Sequence, residues 1–157
     1  MKEHRYEVTT EWTGNQGQGT RGYQSYSRDH VISGAGKYGD ILASSDPAFL
    51  GDKTRYNPED LFLSSLSACH MLWYLHLCSS HGVAVTSYAD VAVGVMVESK
   101  DQSGRFTKVT LHPEVEIEDA DQIERARALH ADAHRMCFIA NSCNFPVEHE
   151  PTIKSRD

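Results

Sequence analysis

Asn57-Pro58-Glu59-Asp60-Leu61-Phe62, running on through Ser67-Ala68-Cys69 to Ser80, is the stretch on which the fold turns. Asn57 is a good helix cap, Pro58 suits the first helical position, and the acids Glu59 and Asp60 sit where the helix dipole favours negative charge. Leu61, Phe62, Leu63, Leu66, Ala68, Met71, Leu72, Trp73, Leu75 and Leu77 follow, and Gly82 stands where a terminating residue belongs. The spacing predicts one helix from Pro58 to about Ser80. Its apolar residues cover more than one stripe, so it is expected to be central and buried, in the core or between two subunits. A membrane span is disfavoured, because Ser64, Ser65, Ser67, His70 and His76 interrupt what would have to be an apolar run of about 18 residues.

Upstream, Tyr6–Thr13, Tyr23–Ile32 and Ile41–Ala43 read as strands separated by the glycine-rich segment 14–19 and other turns, and Ser44–Tyr56, with Asp46-Pro47 and Gly51-Asp52, reads as a loop. Downstream, Val83–Ser99 and Arg105–Ile117 alternate. Val91, Val93, Val95 and Val97 share one face, as do Val109, Leu111, Val115 and Ile117, which predicts a hairpin with one packed face. A second helix should open at Asp119 or at Asp121, the latter with Glu124 as a capping box, and run to about Asn141. Ile123, Ala126, His130, Ala133 and Cys137 fall on one face of it. Phe145–Ile153 is expected to add a last edge strand, its pairing limited by Pro146 and Pro151. The pattern is that of a single α+β domain over residues 1–157.

The chain has 157 residues, 39% hydrophobic content and a net charge of −7. That charge argues against binding a phosphate backbone, which needs clustered Lys and Arg. The polar start, Lys2-Glu3-His4-Arg5-Tyr6-Glu7, does not read as an export signal, so a cytoplasmic location is expected. Four cysteines are then better read as thiols than as a disulfide framework. Cys69 alone could be a small core residue, and Cys78, nine residues on in the same helix, reads as core filler.

The string Asn57-Pro58-Glu59 followed by Ala68-Cys69 resembles the signature of the OsmC/Ohr family, the osmotically inducible and organic hydroperoxide resistance proteins. In that family the central helix begins Asn-Pro-Glu and carries a reactive cysteine ten residues after the glutamate, a spacing that Glu59 and Cys69 keep. A second family cysteine lies on a later helix, and Cys137 matches it in chain distance and in element. The order of elements agrees along nearly the whole chain. The resemblance implies an OsmC-like fold, with antiparallel sheets wrapped around a long buried central helix in an intertwined homodimer, and a peroxide-reducing site completed at the subunit interface. It also implies that Cys69 and Cys137 are the working pair, that a dithiol (a lipoyl-bearing or thioredoxin-like protein) resets them, and that no cofactor is needed. A thiol at its reference pKa of about 8.5 is only roughly 3% thiolate at pH 7, and a pKa near 6 would make it roughly 90%. Cys69 is too far from its helix N-terminus for the dipole to supply that shift. On the family pattern an arginine does so, held by the glutamate, here Glu59. Arg28 is the choice, on the second predicted strand, with Arg21 and Arg55 as alternatives.

The chain departs from the family pattern in having Phe138, not proline, after Cys137, and in having Cys143 six residues beyond it, which leaves Cys143 as a competing resolving thiol. Leu66, Met71, Trp73 and Phe138 could line an apolar pocket favouring organic peroxides or could simply be core. Two other readings stay open. One is a non-catalytic binding or stress-response module with buried cysteines. The other is a metal site in which His130 and His134, one turn apart, are joined by Cys137.

Overall fold

The structure is a computed structural model that describes residues 1–156. The chain divides into two compact units, the first Met1–Leu61 and the second beginning at Phe62, with the boundary inside the long helix.

In the first unit, β1 (Thr9–Trp12), β2 (His30–Ser33) and β3 (Ile41–Ala43) form an antiparallel sheet in that order. The second strand is shorter than the predicted Tyr23–Ile32, because its first half is held by side chains in place of a ladder. Trp12 Nε1 donates to the Ser27 carbonyl at 2.8 Å, and Arg28 donates to the carbonyls of Tyr23 and Tyr26 at 2.6 Å each. Arg28 therefore lies just ahead of β2 and not on a strand. The segment read as a loop contains a single 3-10 turn, Pro47–Phe49, capped by Asp46.

Helix α1 spans Pro58–Ser80. Asn57 Oδ1 accepts the Asp60 N–H at 2.8 Å while the Asp60 carboxylate accepts the Asn57 N–H, a reciprocal cap. At the other end Val83 N–H reaches the Cys78 carbonyl and Gly82 N–H the Ser79 carbonyl, a Schellman closure that needs the left-handed φ of +73° at Gly82. By length and composition α1 could cross a membrane. Within the chain it is buried along one stripe, Leu66, His70, Tyr74 and Cys78, and the opposite row, Ser64, Ala68, Leu72 and His76, is exposed. The central position expected from its apolar content is thus realised on one face only.

The predicted long hairpin is two ladders. Strand β4 (Val85–Asp90) pairs with β7 (Pro113–Ile117), and β5 (Val93–Glu98) with β6 (Gly104–Leu111), both antiparallel. The switch between sheets is pinned by Asp90, whose carboxylate accepts the His112 N–H at 2.7 Å and the Ser67 hydroxyl at 2.5 Å. The tail forms two short strands where one was expected. Strand β8 (Val147–His149) joins β6 and β9 (Thr152–Ser155) joins β7, and both pairings are parallel, so the sheets are mixed and not purely antiparallel. Pro151 lies at the crossing, where the chain leaves one sheet for the other.

These sheets give α1 two floors. Leu66 packs with Val109 and Leu111 of β6, and with Phe62, Phe106, Phe145 and Val147 around them. Tyr74 and Cys78 pack with Val115, Ile117 and Ile153 and with Ala126, Leu129 and Ala133 of helix α2 (Ile123–Met136). Each fully buried residue of the size of Leu111 or Ile117 contributes roughly 1.5–3 kcal/mol. The packed face expected for Val109, Leu111, Val115 and Ile117 is real. That expected for Val91, Val93, Val95 and Val97 is not, since these are 46–69% exposed in the single chain.

Helix α2 is shorter than predicted at both ends. A 3-10 turn (Ala120–Gln122) precedes it, capped by Asp119 and not by an Asp121–Glu124 box. It stops at Met136 because Cys137 turns to an extended conformation and the Asn141 side chain donates to the Arg135 carbonyl. Cys137 is therefore the C-cap of α2 and not a residue within it.

Candidate active site

Cys69 lies half-buried about three turns into α1, beside the buried stripe of Leu66, His70, Tyr74 and Cys78. Cys137 is 1% exposed at the end of α2. The two thiols lie close enough to interact electrostatically. Cys137 is held from both sides of its own turn, with its N–H on the His134 carbonyl at 3.2 Å and its Sγ accepting the Ala140 N–H at 3.4 Å. Burial pushes the Cys137 thiol up to about 11, contact with Cys69 pushes it the same way, and the Ala140 N–H opposes this in part. At neutral pH Cys137 is thus a protonated, buried thiol, and Cys69 is the more exposed of the two.

The other two cysteines are apart from this pair. The Cys78 thiol is buried in the Tyr74 cluster, as expected of core filler. Cys143 bonds the Ile139 carbonyl at 3.3 Å and packs with the Leu66, Val109 and Leu111 group. In the reduced structure it is Cys137, and not Cys143, that meets Cys69.

The remaining predicted site residues fall as follows. The Arg28 guanidinium is committed to its own turn, stacked on the rings of Tyr23 and Tyr26 at 4.4 and 4.2 Å, and it lines a polar cavity of about 440 Å³ with Gln16, Gln24, Asp29 and Asp52. Arg55 pairs with Asp29 and Asp52 at 3.6 Å. Among the described residues no ion pair joins Glu59 to Arg28, Arg21 or Arg55. Leu66 is core, as one of the two readings held. Trp73 meets Phe138 edge to face, with centroids 5.5 Å apart. A hollow of about 320 Å³ opens beside Trp73, lined by Leu72, Trp73 and His76, so of the four residues expected to line an apolar pocket Trp73 does so here.

Sequence reasoning missed a pair of buried histidines. His70 Nε2 and His130 Nδ1 are 2.9 Å apart, the residues are 1% and 0% exposed, and Tyr74 stacks on His130 at 3.8 Å. His149 of β8 lies against both rings. The Leu66-His70-Tyr74-Cys78 stripe was the available signal, since a four-residue period places His70 on the buried row. His130, inward-facing as predicted, is committed to His70 and not to His134 and Cys137. Among the described residues no three His, Cys, Asp or Glu side chains are placed to hold a metal ion together. Burial holds His70 down at about 4 and His130 at about 3, and neighbouring histidines add to the effect, so both rings are neutral at physiological pH.

The chain is thus an α+β protein in which a long helix and the end of a second helix bring two of its four thiols close together. The family model described as OsmC-like protein matches residues 51–152. The chain belongs to that family, as a divergent member. An OsmC-like protein of unknown function from Vibrio cholerae is 32% identical, with 97% of this chain and 100% of that one covered and a TM-score of 0.84. An organic hydroperoxide resistance protein from Elizabethkingia anophelis shares the fold at 18% identity, with 99% and 100% covered and a TM-score of 0.67. The OsmC-like protein from Mycoplasma pneumoniae does so at 12% identity, with 97% and 99% covered and a TM-score of 0.72. No curated protein matches the chain.

Proposed function

We propose that the chain is a thiol peroxidase that reduces organic hydroperoxides to alcohols, with Cys69 as the attacking sulfur and Cys137 as the resolving one. The single observation that carries this reading is the contact between the Cys69 and Cys137 thiols on an OsmC-like fold. Relatives with this fold include proteins named for organic hydroperoxide resistance.

In the proposed cycle the Cys69 thiolate attacks the distal peroxide oxygen and the O–O bond breaks. The alkoxide leaves and takes a proton from solvent, and Cys69 becomes a sulfenic acid, oxidised by two electrons. Cys137 then loses its proton and attacks the Cys69 sulfur, forming the S–S bond and releasing hydroxide, which becomes water. A raised thiol pKa suits the second role: Cys137 stays protonated and unreactive towards peroxide until its partner is oxidised. A dithiol reductant, lipoyl-bearing or thioredoxin-like, resets the pair by exchange. The protein is proposed to act as a cytoplasmic homodimer, whose second copy would cover the exposed row of α1 and the outward valines of β5. Activation of Cys69 is proposed to come from Arg28 with Glu59, which would require the guanidinium to leave the Tyr23 and Tyr26 carbonyls it now holds.

Thiol counting on the reduced protein before and after one equivalent of cumene hydroperoxide tests the reading. Two thiols should be lost, with a Cys69–Cys137 bridge in the peptide map. Four surviving thiols would remove the peroxidase and leave a non-catalytic OsmC-like module.

A further inference from the structure

The His70–His130 pair is costly. Each ring has one nitrogen in the shared hydrogen bond, and whichever ring donates, one N–H and one lone pair are left over. Those are His70 Nδ1 and His130 Nε2, both buried and, among the described residues, without a hydrogen-bond partner. A buried unpaired polar group costs about 1–3 kcal/mol, and an apolar pair of similar volume would commonly serve stability as well or better. Stability alone does not account for the dyad.

Its location does. His70 is the next residue after Cys69 on α1. His130 lies on the buried face of α2, and Cys137 caps the end of the same helix seven residues on, close to two turns further along. The seam between the helices therefore carries a thiol layer, Cys69 with Cys137, and an imidazole layer, His70 with His130. Apolar helix faces pack in several ridge-and-groove registers of similar energy, whereas an N–H···N bond of 2.9 Å exists in only one. A disulfide has little tolerance for a shift of that kind. The dyad is itself fixed by a third element, with Tyr74 stacked on one side and His149 of β8 beside both rings.

We propose that the His70–His130 hydrogen bond is a positioning latch, which fixes the register of α1 against α2 so that Cys69 and Cys137 meet at disulfide-forming distance. The inference rests on the thiol-pair reading above. His70 and His130 touch neither peroxide nor reductant in this scheme and act only through the cysteines.

The experiment is an equilibrium titration of the intact protein in mixtures of reduced and oxidised glutathione, which yields the effective concentration of the Cys69–Cys137 pair without any peroxide. His70→Leu and His130→Leu remove the hydrogen bond but keep the seam filled, and both should fold. His70→Gln restores a polar atom near the Nε2 position, and His130→Asn one near Nδ1. The leucine variants should lower the effective concentration on the order of tenfold or more, and His70→Gln should recover it to within about threefold of wild type. Unchanged effective concentration in the leucine variants overturns the latch. So does failure of His70→Gln to recover it, or of both leucine variants to fold, since each would mean that the rings act by bulk or stability and not by register. If the wild-type protein forms no Cys69–Cys137 disulfide in oxidised glutathione, the thiol-pair reading itself fails, an outcome distinct from a failed latch.

Discussion

Acidification should destabilise this protein through His70 and His130, and the size of the effect follows from their burial. An unfolded histidine titrates near 6.5, and in the folded protein the two rings stay neutral down to about 4 and about 3. Because the folded-state values are lower, the unfolded chain binds more protons as the pH drops. The stability associated with the neutral rings is therefore complete above about pH 7.5, declines as the pH falls through 6.5, and levels off only near the folded values. At pH 5 the linkage amounts to about 2 kcal/mol for each ring, about 4 kcal/mol for the pair. Against a typical domain stability of 5–15 kcal/mol that is a large fraction. With a urea m-value of about 2 kcal/mol per molar it would shift the unfolding midpoint by about 2 M between pH 7.5 and pH 5. Urea unfolding at fixed protein concentration is the assay, run across that range for the wild type and for a His70→Leu, His130→Leu double variant. Every ionisable group other than the dyad is present in both proteins, so the difference between the two curves isolates the dyad together with its coupling to His149, which lies against both rings. If the double variant loses as much stability as the wild type, the reasoning about buried neutral rings is refuted.

Other outcomes follow from single contacts. Cys69→Ser should abolish hydroperoxide-dependent thiol loss, whereas Cys137→Ser should still consume one equivalent of hydroperoxide and accumulate a sulfenic acid at Cys69, detectable by dimedone labelling and mass spectrometry. A Cβ added at Gly94 would lie 2.7 Å from the Phe106 ring and 2.8 Å from Leu63 Cδ2, so Gly94→Ala should destabilise the protein by about 1–3 kcal/mol in urea unfolding, and an unchanged midpoint would contradict the packing described. Asp90→Ala removes the acceptor for both the His112 N–H and the Ser67 hydroxyl, and a loss of about 2 kcal/mol is expected in the same assay. Gly82→Ala forces a Cβ into the left-handed region at φ +73° and should cost about 1 kcal/mol, checked by the same midpoint.

The sequence by itself determined the elements whose signals are local. Asn57, Pro58 and the acids begin α1 and Gly82 ends it, because capping groups and a left-handed glycine act within a turn of their own position. The alternation that buries Val109, Leu111, Val115 and Ile117 was legible for the same reason, and so were the inward face of α2 from Ala126 to Ala133 and the burial of Cys137 beyond its end. The motif around Cys69 pointed to the family and, through it, to Cys137. Only the tertiary structure decided the features that depend on residues far apart in the chain. The break of the long hairpin into two sheets rests on Asp90 reaching His112, and the parallel pairing of the tail on which sheets were left with a free edge. The end of α2 at Met136 depends on the Asn141 side chain folding back. The meeting of His70 with His130 across sixty residues has no signature in either segment, because a buried histidine and an exposed one are the same letter until a second helix is laid against the first. Local chemistry thus wrote the helices and marked the cysteine, and the packing of α1 on α2 decided which thiol it meets and what stands behind the pair.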